Sequence, residues 1–372
     1  MKIQNEYDCL IYLIKCVIHG FVPENIPDNI SFEKVLSLAA ENEVANFAFL
    51  AVKRMKNPPS PDIMKLWEQE YWKGVKRDVT QSRIREEVLS ALHKNEIYTL
   101  ELQGTVVKKY YPESHLRMMS DIDLIIQKEK LTKAEEVMKA LGYEVSHSDE
   151  SETVAFKNQF CVELHTDFFS EECTVNNTLK NPFSYAELGD DYNAYVSDTV
   201  FYLFHLLHTI KHSLNRGSGI RRIIDLYYLE NAMQAKIDKE YIDSALKEYG
   251  LFEQKEKLLK VKEHWFGKDS DGEFDGISEF ENEVRVSGLH GTKNLHYKHK
   301  FERAKKSGKH FVKLRYLLSF VFPSKESIYE DYPFCKKHHY PLLLCFIHRF
   351  NCIVFNRKKR KNVKRIFDRF KN

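Results

Sequence analysis

The chain lacks paired cysteines, an uninterrupted apolar run, an internal repeat and a strong net charge, and each absence excludes something. Its seven cysteines (Cys9, Cys16, Cys161, Cys173, Cys335, Cys345 and Cys352) are odd in number and show no paired spacing. That argues against a disulfide framework, and reduced thiols in a cytoplasmic protein are the expected state. Cys335 beside His338 and His339 has no second ligand pair, which argues against a zinc knuckle. The apolar stretch from Tyr340 to Phe355 contains His348, Arg349 and Asn351. It falls short of the ~18–20 uninterrupted residues that a membrane-spanning helix needs, so no transmembrane segment is expected. The opening residues Met1-Lys2-Ile3-Gln4-Asn5-Glu6 do not read as a signal peptide. In Asp269-Ser270-Asp271-Gly272 the glycine comes too early for a calcium loop, and no closing acid fits.

The composition itself describes a folded globular protein: 43% of the 372 residues are hydrophobic and 30% charged. That length has room for two or three domains and a sizeable core. The net charge of +3 is small but uneven, since residues 357–371 hold nine Lys/Arg against the single acid Asp368. Phe346, Phe350, Phe355, Phe367 and Phe370 interleave with these cations. A solvated helix end is the plainest reading of this tail. An anionic membrane surface at the inner face comes second, and a nucleic acid is a third candidate partner.

Apolar periodicity predicts helices over residues 6–20, from Ser31 through Ala40, over Val44–Leu50, and from Pro61 to Lys94. Residues 96–168 then alternate strand and helix. Strands are expected at Ile97–Leu102, from Asp121 through Ile126, at Tyr143–Val145, Thr153–Phe156 and Phe160–His165. A helix over Leu131–Leu141 separates two of them, stopped by Gly142. Helix returns over 198–263, residues 267–300 read as loop, and amphipathic helices resume beyond Lys300. The expected organisation is a helical region over 1–95, a core over 96–190, a helical domain packed on it over 191–265, and a loop followed by basic helices over 266–372.

Two stretches hold the chemistry. In Ser120-Asp121-Ile122-Asp123-Leu124, side-chain alternation along a strand puts both carboxylates on one face and Ile122 and Leu124 on the other. Neighbouring carboxylates at the end of an apolar strand are costly unless a cation is present. A hard divalent metal such as Mg²⁺ removes that cost and also takes substrate phosphates. Upstream, Leu102-Gln103-Gly104-Thr105 follows a strand and opens a helix, where glycine lets backbone N–H groups approach a phosphate. In Phe160–His165 the same alternation places Glu163, His165 and Asp167 on one face. His205, His208 and His212 fall at helical spacing and share a stripe, read mainly as structural and secondarily as a cleft lining. Arg117 reads evenly as a triphosphate ligand or a surface ion pair. Arg221 and Arg222 are expected to split, one facing solvent and one pairing with Asp225.

A strand ending in Gly-Thr, a helix and then Asp-x-Asp on the next strand resembles the DNA polymerase beta nucleotidyltransferase superfamily. The strings Leu102-Gln103-Gly104-Thr105, Tyr111-Pro112, Arg117, Asp121-Ile122-Asp123-Leu124 and Val162-Glu163-Leu164-His165 are similar to its bacterial uncharacterised nucleotidyltransferase family. So are the histidine stripe and Arg221 through Leu226, and more loosely Leu38 through Val44. Gln103 stands where that family reads lysine, and Thr105 where the superfamily has Gly or Ser. The resemblance implies an α+β fold, with a polymerase-beta-like core of a small mixed sheet with helices, flanked by N- and C-terminal helical regions. It implies Asp121, Asp123 and Glu163 as catalytic carboxylates holding Mg²⁺ or Mn²⁺ in a two-metal scheme. Gln103, Gly104, Thr105, Arg117, His165, His208 and His212 are then the nucleotide-binding set.

The expected activity is transfer of a nucleoside monophosphate from an NTP donor to a hydroxyl acceptor. Gln103 favours one rival, a non-catalytic scaffold linked to cell-surface polysaccharide assembly, whereas the three retained acids speak against it. A metal-dependent phosphohydrolase using His165, Asp167 and the helix histidines is the other.

Overall fold

The computed structural model describes residues 2–147, 152–169, 175, 178–215, 217–268, 277–288, 299, 341 and 343–347. The basic segment 357–371, the Cys335–His338–His339 group and the 269–272 turn lie outside the described residues. So does most of the apolar stretch 340–355. The chain divides into two compact units, Met1–His296 and Tyr297–Asn372. Among the described residues no helix is long and apolar enough to cross a membrane. Cys9, Cys16 and Cys161 are free thiols.

The first unit is an α+β fold. It opens with α1 (Glu6–His19), α2 (Phe32–Glu41), α3 (Ala45–Val52) and the long α4 (Pro61–Lys94). Local chemistry sets these limits. Asn5 caps α1 by accepting from the Tyr7 and Asp8 amides, Gly20 ends it in the left-handed conformation, and Ser31 caps α2. Next come β1 (Thr99–Glu101), the single turn α5 (Gly104–Val107), β2 (Asp121–Ile126), α6 (Leu131–Ala140), β3 (Glu144–His147), β4 (Glu152–Lys157) and β5 (Phe160–His165). The short strands β6 (Ala186–Leu188) and β7 (Asn193–Val196) follow. The unit is completed by α7 (Asp198–Asn215), α8 (Ile220–Met233), α9 (Lys239–Glu248), α10 (Phe252–Phe266) and α11 (Ser278–Ser287).

The strands form one mixed sheet in the order β3-β4-β5-β2-β1-β7-β6. β2 runs antiparallel to β1 and parallel to β5. One face of this sheet is apolar: Ile122, Leu124, Val162, Leu164 and Ala155 pack with Val88, Leu89 and Leu92 of α4 and Ala134, Val137 and Met138 of α6. On the other face Leu100, Ile125 and Ala194 join a larger core shared with α1, α3, α7, α8 and α10. The acids of β2 and β5 occupy the part of that face which this core leaves open.

Two expectations are corrected here. Residues 267–300 are not all loop, because α11 lies within them. Its register is fixed by tertiary bonds: Glu281 accepts from Trp265 Nε1 at 2.9 Å, and Arg285 reaches Asp8 at 2.6 Å. Such contacts stabilise a short helix whose own sequence signal is weak. The sheet is also larger than the sequence indicated, because β6 and β7 are three and four residues long and present Leu188 and Tyr195 to solvent.

Candidate active site

The open part of the sheet forms one wall of a cleft of about 590 Å³, within the size range of small-molecule sites. Parallel pairing of β2 with β5 sets Asp121 beside Cys161 and Asp123 beside Glu163. Antiparallel pairing of β4 with β5 sets Glu152 beside His165. The acid wall is therefore Asp121, Asp123, Glu152 and Glu163, with His165 among them. His165 Nε2 lies 3.2 Å from Asp123 Oδ1 and 3.5 Å from Glu163 Oε2, and its Nδ1 lies 3.9 Å from Glu152 Oε2.

The electrostatics follow from this crowding. Burial, then the charges of Asp123 and Glu163, push the Asp121 carboxyl up to about 7. Burial opposes the charged form of His165, but the hydrogen bonds and charges of Asp123 and Glu163 outweigh it and raise the ring to about 10. Burial and the neighbouring Glu163 push the Cys161 thiol up to about 12, which keeps it un-ionised.

The opposite wall is cationic. α7 contributes His208, Lys211, His212 and Asn215, an i, i+3, i+4, i+7 stripe, and α8 contributes Arg221 and Arg222, with Arg117 beside them. Arg117 donates to both oxygens of Asp225, from Nη2 at 2.9 Å and Nε at 3.2 Å. Asp225 also accepts from Tyr111 Oη at 2.7 Å and is held down at about 2; burial opposes this, but Arg117 outweighs it. Arg221 pairs with Glu43 and donates to the Met118 carbonyl at 2.8 Å. Arg222 forms no ion pair among the described residues; its one partner there is His208 Nδ1 at 3.2 Å. Burial and the nearby Arg221 lower the Arg222 guanidinium to about 9. A guanidinium only donates, so His208 accepts at Nδ1 and carries its proton on Nε2, which donates to His212 Nε2 at 3.1 Å.

Of the residues expected to form the site, Asp121, Asp123, Glu163, Gln103, Gly104, Arg117, His165, His208 and His212 line this cleft. Thr105 does not. It is buried, and its hydroxyl donates to the Leu102 carbonyl at 3.0 Å, so only its backbone faces the turn. Gly104 is required by packing: a Cβ there would meet Arg117 Nη1 at 2.6 Å and Met119 Sδ at 2.8 Å. Gln103 turns the chain from β1 into α5 with φ 58 and ψ −130, a region costly for any residue with a Cβ. The expected split of Arg221 and Arg222 is corrected, since both are buried and Asp225 belongs to Arg117. Asp167 is turned to the Phe168 amide, 2.8 Å away, and does not line the cleft. His205 is buried behind it, and neither ring nitrogen has a hydrogen-bond partner among the described residues.

Sequence reading missed Glu152 and Lys211. The hairpin turn at Asn158-Gln159 could have found Glu152, because counting back along β4 brings it opposite His165. Shifting the histidine stripe toward the C-terminus of α7 could have found Lys211.

An acid wall on paired strands thus faces a cationic helical wall across one cleft on an α+β core. The chain belongs to the uncharacterised nucleotidyltransferase family, which matches residues 28–267. No curated protein matches it. Among solved structures, the solution structure of the antibiotic-resistance factor ANT(2'')-Ia is similar to 50% of this chain and 98% of its own, with 13% identity and a TM-score of 0.36.

Proposed function

We propose that the protein transfers a nucleoside monophosphate from an NTP to a hydroxyl acceptor, with a divalent cation such as Mg²⁺ or Mn²⁺ held by the acid wall. The observation that carries this reading is the opposition of four carboxylates and four cations across one cleft. Asp123, Glu163 and His165 offer ligand atoms within 4.8 Å of one another, a donor set that fits a divalent cation. When bound, the cation polarises phosphoryl oxygens and acidifies a nearby hydroxyl.

The remaining roles belong to the chain itself. Arg222 and Lys211, without carboxylate partners among the described residues, receive the triphosphate, and His212 adds an imidazole beside them. Backbone N–H groups at Gly104 and Thr105 approach the phosphates from the other side, with Gln103 alongside. Arg117, saturated by Asp225, shapes this corner and contributes its charge at a distance. His208 is held neutral by burial and by the neighbouring cations and orients His212. Glu163 accepts the proton of the acceptor hydroxyl as its oxygen attacks the α-phosphorus. The bond from the α-phosphorus to the α,β-bridging oxygen breaks, and pyrophosphate leaves toward the cationic wall. Asp121 and Asp123 complete the negative field that keeps the cation between the walls.

Thermal stability against a panel of NTPs, with and without Mn²⁺, identifies the donor, because a ligand at a hundredfold excess over its Kd adds about 2.7 kcal/mol. With that donor, labelled at the α-phosphate, release of pyrophosphate with label retained on an acceptor is the expected outcome. Asp123→Asn should abolish it while leaving the fold intact. Undiminished transfer in that variant, or release of free nucleoside monophosphate alone, would sink the proposal.

A further inference from the structure

We propose that His165 is itself a metal ligand, making the cation site one imidazole plus two carboxylates and suiting it to Mn²⁺ or Co²⁺ over Mg²⁺. The inference rests on the nucleotidyltransferase reading only for the presence of a cation at this place.

The geometry comes from the strand register. Glu163 and His165 are two apart on β5, so they project from the same face, and Asp123 of β2 lies directly beside Glu163. Donor atoms about 2.0–2.2 Å from one ion stand roughly 3–3.5 Å from each other. The 3.2 Å from His165 Nε2 to Asp123 and the 3.5 Å to Glu163 match that spacing. Asp121, the acid that spacing along β2 pairs with Asp123, is not part of this group.

An independent observation comes from β4. Glu152 lies 3.9 Å from His165 Nδ1, on the ring nitrogen opposite the one that faces Asp123 and Glu163. That is an ion-pair approach and not a formed hydrogen bond, but it places Glu152 where a carboxylate behind a ligating histidine can fix its tautomer and direct the other nitrogen at the metal. Imidazole is a borderline donor favoured by later divalent ions, whereas Mg²⁺ prefers oxygen ligands throughout. The competing role for His165 is a counter-cation to the acids, with the metal held by carboxylates alone.

The test is pulsed electron paramagnetic resonance on the full chain loaded with Mn²⁺, read for modulation by a directly bonded ¹⁴N nucleus. Wild type should show it, and His165→Gln should lose it while still binding Mn²⁺ more weakly through Asp123 and Glu163. Glu152→Gln should keep the modulation but bind Mn²⁺ about tenfold or more weakly. Far-ultraviolet circular dichroism checks that each variant is folded. Mn²⁺ bound at full occupancy without nitrogen modulation, or modulation that survives in His165→Gln, overturns the assignment and leaves the nucleotidyltransferase proposal standing. Failure of wild type to bind Mn²⁺, Co²⁺ or Mg²⁺ overturns both.

Discussion

The two walls of the cleft hold equal numbers of formal charges but balance them differently. On the strands, Asp121, Asp123, Glu152 and Glu163 share one cationic side chain among the described residues, His165. On the helical side, Arg117 and Arg221 have carboxylates of their own, Asp225 and Glu43, and among the described residues Arg222 and Lys211 have none. The acid wall is therefore short of positive charge among the described residues, and under the proposed function a bound cation supplies it. The cationic wall is mostly balanced from within and retains just enough charge to attract an anion. One wall is a receptor by deficit, and the other is a scaffold with two spare positive charges.

The sharpest way to break this contrast is to remove the internal balance. Asp225→Ala leaves Arg117 buried without its carboxylate and strips Tyr111 of its acceptor. Losing one member of a buried pair costs about 3–5 kcal/mol, so chemical denaturation should show a loss of that size. Mn²⁺ affinity of the folded fraction should change by no more than about twofold, because Asp225 bonds Tyr111 and Arg117 rather than any residue of the acid wall. A comparable collapse of metal binding would show that the walls are one network.

A second comparison uses pH. The Asp121 carboxyl has an ordinary value of 3.8 and a folded value of about 7. The folded state thus binds more protons between those limits, and in metal-free buffer this residue makes the protein less stable as pH rises through that window. His205, behind the opposite wall, has an ordinary value of 6.5, lowered by burial to about 4. Here the unfolded state binds more protons, so its contribution is complete above 6.5 and is lost as pH falls toward 4. The two slopes oppose each other. Asp121→Asn should leave a stability that rises with pH between 4 and 6.5, by about 3 kcal/mol from His205. His205→Leu should leave one that falls as pH rises. Urea titrations at four pH values across this range check both. Parallel slopes in the two variants would mean that burial at one of these sites is incomplete.

How much of this was legible in the sequence divides along the same line. The acid wall follows from side-chain alternation within two strands, so Asp121, Asp123, Glu163 and His165 could be placed on one face by counting residues. Even Glu152 is encoded, through the hairpin register set at Asn158-Gln159. The cationic wall is a tertiary product. Arg117 finds Asp225 across 108 residues and Arg221 finds Glu43 across 178, and no local period links such partners. The histidine stripe was visible, and the resemblance put His208 and His212 at the nucleotide, but Lys211 and Asn215 on the same face of α7 were not read. Which residues of α7 meet the cleft depends on how it seats against Phe168, Phe169 and the rest of the core. The inward turn of the Thr105 hydroxyl likewise depends on a single hydrogen bond closing the turn after β1. The helical segments of the first third were readable throughout, because caps and prolines mark their ends.

The smallest predicted effect bears most directly on the spare charge of the cationic wall. Gln103 lines the cleft, and it neighbours Gly104, where an added Cβ would meet Arg117. Gln103→Lys adds a third unpaired cation to Arg222 and Lys211 without disturbing either existing pair. A partly solvated charge of this kind is worth about 1 kcal/mol, roughly fivefold in affinity. Titration calorimetry with the donor NTP should therefore show a tightening of that order at low salt, shrinking in 0.5 M salt as screening shortens the reach of the charge. Arg222→Gln should weaken binding by more, since Arg222 is the more buried cation and nothing among the described residues neutralises it. If residues 103 and 222 serve the same phosphates from opposite sides, Gln103→Lys added to Arg222→Gln recovers part of the loss. If the double variant shows no recovery, the turn at Gly104 and the helical wall address different groups, and the triphosphate belongs to the helices alone.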